Sequence, residues 1–158
     1  IGGLQTAINM NALSVDHLEV MTTQDISDLA NSPTIGTLLP TAAFCLRMPY
    51  QPARELINAG AAIALASDFN PGSSPSANIH FVVAISCIQM KMLPEEAFNA
   101  ATINGAFAME CASETGSIAI GKKADLILTK PIPSLTYIPY AFAHNWIDRV
   151  MIGGTFIS

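Results

Sequence analysis

The sequence predicts an α/β fold built around a parallel sheet. Three short apolar runs lie in the first half of the chain, at residues 12–15, 34–39 and 61–66. Their starts are separated by roughly 20–30 residues, the length that one strand and one covering helix need before the next parallel strand. The segments between them are amphipathic. Apolar strands that alternate with such helices are typical of a parallel sheet covered by helices.

The helices that separate these strands have recognisable ends. A helix is predicted over residues 23–30, with Thr22 or Thr23 placed to cap it and Asp25 placed to favour its N-terminal dipole. The second strand is closed by a proline. The helix predicted over residues 52–58 has a proline at its first turn and a glycine at its stop. Both βα units are therefore supported by local signals as well as by spacing.

The chain changes character in its last third. Residues 76–90 show helical periodicity, and a further helix is predicted from Pro94 to about residue 109. After Gly116, antiparallel strands are predicted over residues 126–128 and 147–154. The second of these segments is predicted to be a hairpin that turns at a Gly-Gly step. The tail is therefore not another βα unit.

Composition limits the class of protein. The chain has 158 residues, 51% hydrophobic and only 12% charged, against about 25% charged in ordinary globular proteins. No apolar run approaches the roughly 18 residues of a membrane span. We therefore expect no membrane partner. The low charge indicates that part of the surface belongs against other protein.

Charge and cysteine content exclude two further classes. The net charge of −5 comes without a basic cluster, so we expect no nucleic-acid partner. The three cysteines, Cys45, Cys87 and Cys111, are far apart and odd in number, which favours reduced thiols and a cytoplasmic protein. The chain opens on Ile1 without a signal segment, and it reads as a piece of a longer protein.

Asp68 is the first candidate for chemistry. It follows the third predicted strand, and the carboxyl ends of parallel strands carry the active sites of α/β enzymes. A carboxylate there also commonly serves only as a cap or turn former. The residues that follow favour a function, because Asn70, Gly72, Ser73 and Ser74 offer an amide, open backbone and two hydroxyls that can surround a polar ligand.

His17 is the second candidate, at the matching end of the first strand. A single histidine is more commonly a hydrogen-bonded residue at the edge of a core. Together with Asp68, however, it fits metal-assisted hydrolysis or general acid–base chemistry. Side-chain alternation is expected to point Asp16 and Glu19 elsewhere, so both are interpreted as structural.

Other polar residues receive structural interpretations. His80 is expected on a helix and His144 in a C-terminal loop. Arg47, Tyr50 and Arg54 either line the mouth of the site or are solvated loop residues. The loop serines lack a Gly-x-Ser-x-Gly elbow, which argues against a serine hydrolase.

Six segments carry a more specific signal. The most distinctive is residues 66–75, Ala-Ser-Asp-Phe-Asn-Pro-Gly-Ser-Ser-Pro. The others are Ser14-Val15-Asp16-His17-Leu18, Leu38-Leu39-Pro40, Thr102-Ile103-Asn104-Gly105-Ala106, Gly116-Ser117-Ile118 and Gly121-Lys122-Lys123-Ala124-Asp125-Leu126. Taken in their order along the chain, the six segments resemble those of the imidazolonepropionases of the amidohydrolase superfamily, and they cover nearly the whole chain. The last segment is common to many amidohydrolases and indicates only the superfamily.

The resemblance implies a fold and an activity. Residues 1–115 are expected to form the last three βα units of a (β/α)8 barrel, and residues 116–158 the C-terminal strands of a small β-sandwich. The implied enzyme is a hydrolase of histidine catabolism that opens the small molecule 4-imidazolone-5-propanoate to N-formimidoyl-L-glutamate, using zinc or iron. Other amidohydrolases, such as a nucleobase deaminase or a dihydroorotase-like enzyme, and a non-catalytic binding or assembly module remain alternatives.

The resemblance also implies roles for individual residues. Asp68 matches a metal ligand that helps to activate the attacking water, and His17 matches a histidine that polarises or orients the scissile carbonyl. Asn70, Gly72 and Ser73 match the loop that holds the substrate.

One departure from the family is large. Its His-x-His metal pair, third metal histidine and catalytic glutamate have no counterpart in these 158 residues. We therefore expect the chain alone to bind no catalytic metal and to be inactive, and to associate with itself through apolar surface and an exposed strand edge.

Overall fold

The structure is a computed structural model and describes residues 2–157. Two separate three-stranded sheets organise the described residues, and helices connect and cover the first of them. In chain order the elements are α1 (Gly3–Asn9), β1 (Ser14–His17), α2 (Thr23–Ala30), β2 (Ile35–Leu38), α3 (Pro40–Leu46), α4 (Ala53–Asn58), β3 (Ile63–Leu65), α5 (Ile79–Gln89), α6 (Pro94–Ala101), α7 (Ile103–Ala108), β4 (Leu126–Thr129), α8 (Tyr137–Tyr140), β5 (Ile147–Ile152) and β6 (Thr155–Phe156).

The first sheet is parallel, with the strand order β1-β2-β3. Its register places His17 opposite Leu38 and Leu38 opposite Leu65, so the three strands end at one edge. Sequential parallel strands joined through helices confirm the predicted α/β fold class. The strand ends that were predicted to carry the chemistry therefore lie together at the carboxyl-terminal edge of this sheet.

The two faces of this sheet have different surroundings. Val15, Leu38 and Ile63 lie on the helix-covered face, where they join the main core. Alternate residues such as Thr37 and Ala64 face a cavity of about 330 Å³ on the other side. Side chains of a strand alternate between faces, so each strand here contributes one row to the core and one row to the cavity.

The core fills the space between the sheet and the helices. Each fully buried aliphatic side chain contributes about 1.5–3 kcal/mol to the free energy of unfolding. The buried cluster draws on β2, β3 and the helices around them: Leu29, Leu38, Ala53, Leu56, Ala61, Ile63, Leu65, Val82, Val83, Met90, Met92, Ala97 and Ala100.

Close packing explains one glycine of the sheet. A Cβ atom built on Gly36 would lie 2.9 Å from Leu18 Cδ1 and 3.0 Å from Leu29 Cδ2. Leu18 follows β1, and Leu29 lies on α2. Because these two leucines close over Gly36, the backbone of β2 comes near to the loop after β1, and the position of that loop is fixed.

Several predicted elements are confirmed with shifted ends. Helix α2 matches its predicted residues, and Thr22 forms a reciprocal capping box with Asp25. Strand β1 begins two residues later than predicted and includes His17. The helix predicted from Pro94 to residue 109 is two helices, because the backbone at Thr102 leaves the helical region at φ −123° and ψ −89°.

Three helices were not predicted. Pro40 was interpreted only as a strand stop, yet it occupies the first turn of α3 and so begins a helix. Helices α1 and α8 are short and have no side-chain cap, so local sequence signals did not indicate them.

The tail forms the second sheet, antiparallel with the order β4-β5-β6, as its turn signals predicted. Helix α8 packs back on α5, burying Ile138 and Pro139. Residues of the tail thus touch the helices around the parallel sheet, and the division at residue 116 stays a prediction. Within residues 2–157, none of the helices combines the length and apolar character that crossing a membrane requires.

Candidate active site

Asp68 lies three residues beyond the end of β3, at the carboxyl-terminal edge of the parallel sheet. Its backbone has φ 49°, in the left-handed region that aspartate tolerates better than most residues. The side chain is half-buried and lines the cavity on the open face of the sheet. Its Oδ2 accepts a hydrogen bond from Ser73 Oγ at 3.3 Å. The chain therefore turns sharply at Asp68 and directs a carboxylate into the cavity.

Asn70 organises the loop around Asp68. Its Nδ2 donates to the backbone carbonyl of Asp68 at 2.7 Å and to Ser73 Oγ at 2.8 Å. Its Oδ1 accepts from the backbone N–H groups of Gly72 and Ser73, each at 2.8 Å. A side-chain amide has two donors and two acceptor lone pairs, so all four are used inside the loop. Asn70 therefore shapes the loop rather than presenting its amide to a ligand in this conformation.

The loop is anchored to the sheet through Ser74, which is 1% exposed. Its hydroxyl donates to the backbone carbonyl of Ser67 at 2.6 Å, and Thr41 of α3 donates to the same carbonyl at 2.9 Å. Its own carbonyl accepts from the backbone N–H of Asn70 at 3.0 Å. These bonds tie both ends of the turn together, which keeps Asp68 in its left-handed conformation.

His17 is the last residue of β1 and lies at the same edge as Asp68. Strand β2 separates β1 from β3, so their ends are two strand spacings, about 10 Å, apart. The imidazole is half-exposed, and its Nδ1 lies 3.1 Å from Glu19 Oε1. The two predicted site residues thus lie at one edge of the sheet. Of the two, Asp68 lines the cavity on the open face, whereas His17 alternates with Asp16 and is not among the residues around that cavity.

Glu19 and Asp16 were both interpreted as structural residues that point away from the site, and the predicted direction was wrong for both. Glu19 turns back to His17, and Gln51 Nε2 donates to the same Glu19 oxygen at 2.8 Å. Asp16 shares the cavity with Asp68, because alternation along β1 sends Ser14 and Asp16 to the open face. Two polar residues spaced by two on a strand were the signal for Asp16. Gln51 lies 32 positions beyond Glu19, and the sequence held no signal for it.

The other two histidines have structural surroundings. His80 is on α5, where burial lowers its pKa below the ordinary value. His144 stacks on Trp146 with ring centroids 5.1 Å apart. Both fit the structural interpretation that the sequence suggested.

The residues considered for the mouth of the site lie in three different places. Arg47 is the exposed C-terminal cap of α3. Tyr50 packs against the core, and burial raises its pKa. Arg54 of α4 pairs with Glu96 of α6 and donates to the carbonyl of Lys91, so it ties two helices together.

The described residues do not complete a metal site. Within residues 2–157, no three His, Cys, Asp or Glu side chains cluster closely enough to hold an ion. A catalytic zinc takes about three protein ligands and an open position. The donor set at the strand edge fits a metal only as one carboxylate ligand, from Asp68, with the other ligands supplied from elsewhere.

The comparisons with known proteins define the family. Residues 6–157 match the model of the "Amidohydrolase family". Because this match spans nearly the whole chain, the chain belongs to the amidohydrolase family.

Individual relatives narrow the resemblance. The chain is 57% identical over 157 residues to the imidazolonepropionase of Flavobacterium johnsoniae, covering 99% of this chain and 38% of that protein. It is 40% identical to the imidazolonepropionase of Alkaliphilus metalliredigens, covering 99% and 37%. The chain thus spans under two fifths of the length of the curated relatives that it matches. The resemblance inferred from the motifs is confirmed.

Solved structures support the fold. An adenosine deaminase from Xanthomonas campestris with bound zinc superimposes with a TM-score of 0.81 at 23% identity, covering 90% of this chain and 36% of that one. The guanine deaminase of E. coli gives 0.75 at 16%, covering 92% and 38%. At these low identities the structural similarity establishes the amidohydrolase fold alone. It confirms the prediction that the chain is part of a (β/α)8 barrel.

Proposed function

We propose that this chain is part of a metal-dependent cyclic amide hydrolase that opens 4-imidazolone-5-propanoate to N-formimidoyl-L-glutamate in histidine catabolism. The observation that carries the proposal is the Asp68 loop, in which Asn70 and Ser73 hold a strand-end carboxylate at the cavity. The identity of 40–57% to imidazolonepropionases over 99% of the chain supports this substrate.

In this proposal Asp68 acts at the centre of the reaction. It is one ligand of a zinc or iron ion whose other ligands lie outside these residues. When bound, the metal supplies Lewis-acid activation of water and of the ring carbonyl. The carboxylate of Asp68 accepts a proton from the attacking water, and its hydrogen bond from Ser73 keeps one oxygen in a defined position.

His17 acts from the other strand end. The carboxyl ends of β1 and β3 are two strand spacings, about 10 Å, apart, so a small ring at this edge can reach both strand ends. The imidazole accepts a hydrogen bond from the substrate at Nε2 and so orients the scissile carbonyl. After water has added to that carbonyl, Asp68 passes the proton that it took from the water to the ring nitrogen, the amide C–N bond breaks and the ring opens.

The loop that follows Asp68 holds the substrate in this proposal. Asn70 acts indirectly, because its amide is occupied within the loop. Gly72 has an exposed backbone at the tip, and the half-buried Ser73 hydroxyl lies beside Asp68. These two positions are the parts of the loop that meet the substrate, and Asn70 fixes their geometry.

A chimera tests the proposal. The stretch of the Flavobacterium johnsoniae imidazolonepropionase that aligns with this chain over 157 residues is replaced by the chain itself. We expect the chimera to consume 4-imidazolone-5-propanoate, as followed by the ultraviolet absorbance of the substrate. Asp68→Ala should lower kcat by more than about 100-fold, and Asp148→Ala, an exposed aspartate on β5, is the matched control.

Two outcomes of the chimera experiment would contradict the proposal. A folded chimera that binds metal but leaves the imidazolone intact would exclude this substrate. Release of ammonia from guanine or adenosine, measured with the same protein, would instead identify a nucleobase or nucleoside deaminase.

A further inference from the structure

Three polar side chains form a row of contacts that leads from His17 into the protein interior. The imidazole Nδ1 lies 3.1 Å from Glu19 Oε1, and Gln51 Nε2 donates to that oxygen at 2.8 Å. Solvent exposure falls along this row, since the side chain of His17 is 55% exposed and that of Glu19 only 9%. Gln51 is 2% exposed. The two inner residues are therefore held in the protein interior, and the histidine is the end that reaches the surface.

The backbone around His17 is strained in a way that serves this contact. His17 has φ 76° and the next residue, Leu18, has φ 67°. Two consecutive non-glycine residues in the left-handed region are uncommon and need support from the surrounding structure. Leu18 supplies this support, because it packs into the gap left by Gly36. The turn brings Glu19 back beside the imidazole that precedes it by two residues.

Gln51 is buried with one of its two side-chain polar atoms unpaired. Its Oε1 is inaccessible to solvent and has no hydrogen-bond partner within the part of the chain that the structure describes. A buried acceptor left unpaired destabilises a fold. The hydrogen bond that its side chain does make within the described residues is the one from Nε2 to Glu19.

We infer that Glu19 and Gln51 are positioning residues that hold the His17 ring with its proton on Nδ1 and leave Nε2 to act on the ligand. A carboxylate accepts hydrogen bonds and does not donate them, so the neutral ring must carry its proton on Nδ1 to keep the contact. Gln51 fixes the carboxylate in turn. The tautomer of the neutral ring follows from its contact with the Glu19 carboxylate, while its use in catalysis rests on the proposed function.

The tautomer is measurable without any substrate. The chain has three histidines, so ¹⁵N-labelled histidine gives three pairs of ring nitrogen signals, which His80→Gln and His144→Gln assign. In the wild-type chain we expect His17 to show a protonated Nδ1 and an unprotonated Nε2. In Glu19→Ala the ring should change to the Nε2–H form that free histidine prefers.

Matched variants separate positioning from general damage. Glu55→Ala removes an exposed glutamate of α4 and should leave the His17 signals unchanged. Glu19→Gln retains an oxygen that accepts from Nδ1, and its amide N–H can donate to the unpaired Gln51 Oε1, so it should retain the wild-type tautomer. Gln51→Ala should lower the Nδ1–H fraction, and it serves as the second test if Glu19→Ala fails to fold by circular dichroism.

The kinetic consequence is measured in the chimera described above. Glu19→Ala should lower kcat by about 10–100-fold with little change in KM, the usual effect of losing a group that orients a functional histidine. Glu19→Gln should restore most of kcat. An Nε2–H ring in the wild-type chain, or a Nδ1–H ring in folded Glu19→Ala, would overturn the inference. Both results are read without turnover, so they are distinguishable from failure of the proposed activity.

Discussion

Asn70 shows how one side chain determines the conformation of a whole loop. It makes four hydrogen bonds of 2.7–2.8 Å, and each one restrains a residue between Asp68 and Ser73. Together with the hydrogen bonds of Ser74, they hold the backbone of Asp68 in the left-handed conformation at φ 49°. The site therefore depends on a residue that has no free group to offer the substrate.

Asn70→Ala should lower the free energy of unfolding by about 1–3 kcal/mol, because it removes four hydrogen bonds and leaves the partly buried N–H of Ser73 unpaired. Urea unfolding followed by circular dichroism measures this change. Asn99→Ala, at an exposed position on α6, is the matched control and should be nearly neutral. An Asn70→Ala protein as stable as the Asn99→Ala protein would show that the loop does not need the amide.

Cys87 offers a second residue-scale prediction. Burial raises the pKa of its thiol to about 11, with the carboxylates of Glu95 and Glu96 adding to the effect. Below that pH the group stays a thiol, which is a poor nucleophile. A maleimide reagent at mildly alkaline pH should label the exposed Cys45 and spare Cys87 in the folded chain. Equal labelling of the two in native protein, read by mass spectrometry, would contradict the buried position.

The sequence predicted where Asp68 and His17 lie in the fold, and their roles stay predictions. Asp68 and His17 follow apolar strands, and the strand edge that joins them is where a parallel sheet must place them. Glu19 was misinterpreted because alternation applies within a strand, and the chain leaves β1 through two left-handed residues. Gln51 was missed because its contact with Glu19 is purely tertiary.

At the scale of elements, Gly116 joins the tail to helix α7. Its φ is +83°, and a Cβ atom there would lie 2.5 Å from the Cβ of Ala106. Gly121 has φ +90° but nothing within 4 Å of a built Cβ. The two glycines therefore share the backbone requirement and differ only in packing.

Gly116→Ala should be more destabilising than Gly121→Ala. Backbone strain of about 1–3 kcal/mol applies to both variants. Overpacking adds about 1–3 kcal/mol only at Gly116. Urea unfolding of the two variants measures the difference. Equal losses would mean that the tail does not pack on α7.

The ion pair between α4 and α6 should make stability depend on pH. The guanidinium of Arg54 holds the pKa of Glu96 below its ordinary value of 4.5, against the opposing effect of burial, and the N–H of Leu93 at the start of α6 lowers it further. A lowered pKa stabilises the fold above the ordinary value, and this contribution is lost as the pH falls through the lowered one.

The comparison of wild type with Glu96→Gln tests this effect. The wild-type protein should have the higher urea midpoint near neutral pH, and the difference should shrink as the pH falls below about 4.5 toward the lowered pKa. Glu55→Gln on α4 is the matched control, with an exposed carboxylate. A difference that stays constant with pH would rule out the ion pair as its source.

Elements that local sequence signals specify were predicted, and elements that depend on tertiary packing were not. Helix α2 was predicted residue for residue, because its capping box is encoded by Thr22 and Asp25. Helix α8 has no cap and gains its stability by packing Ile138 and Pro139 on α5. The break at Thr102 is likewise set by packing, since Asn104 of α7 donates to the carbonyl of Ile63 in β3. Elements of the second kind are recognised only once the tertiary structure is known.

At the scale of the whole molecule, the parallel sheet is covered on one face and open on the other. Its open face carries Asp16, Thr37, Ala64 and Asp68 around the cavity of about 330 Å³. Members of the family with this fold are more than twice as long as the part matched here. The arrangement suits a surface against which further protein belongs, as the low fraction of charged residues suggested.

The isolated chain should bind no stoichiometric metal. Its described residues bring one carboxylate to the strand edge and no cluster of three ligands, and one carboxylate does not hold zinc against water. After incubation with zinc and gel filtration, metal analysis should find well under one ion per chain. One zinc per chain, lost in Asp68→Ala but retained in Asp148→Ala, would contradict this.

The isolated chain should also associate with itself, because the open face of the sheet is rimmed by apolar groups. Met109 of this rim is 77% exposed and lines the cavity. Light scattering after size exclusion should give a mass that rises with concentration. Met109→Lys should reduce this rise, while Met10→Lys, at an equally exposed methionine following α1, should not. A monomer at all concentrations would show that the cavity face tolerates water, and equal effects of the two variants would place the contact elsewhere.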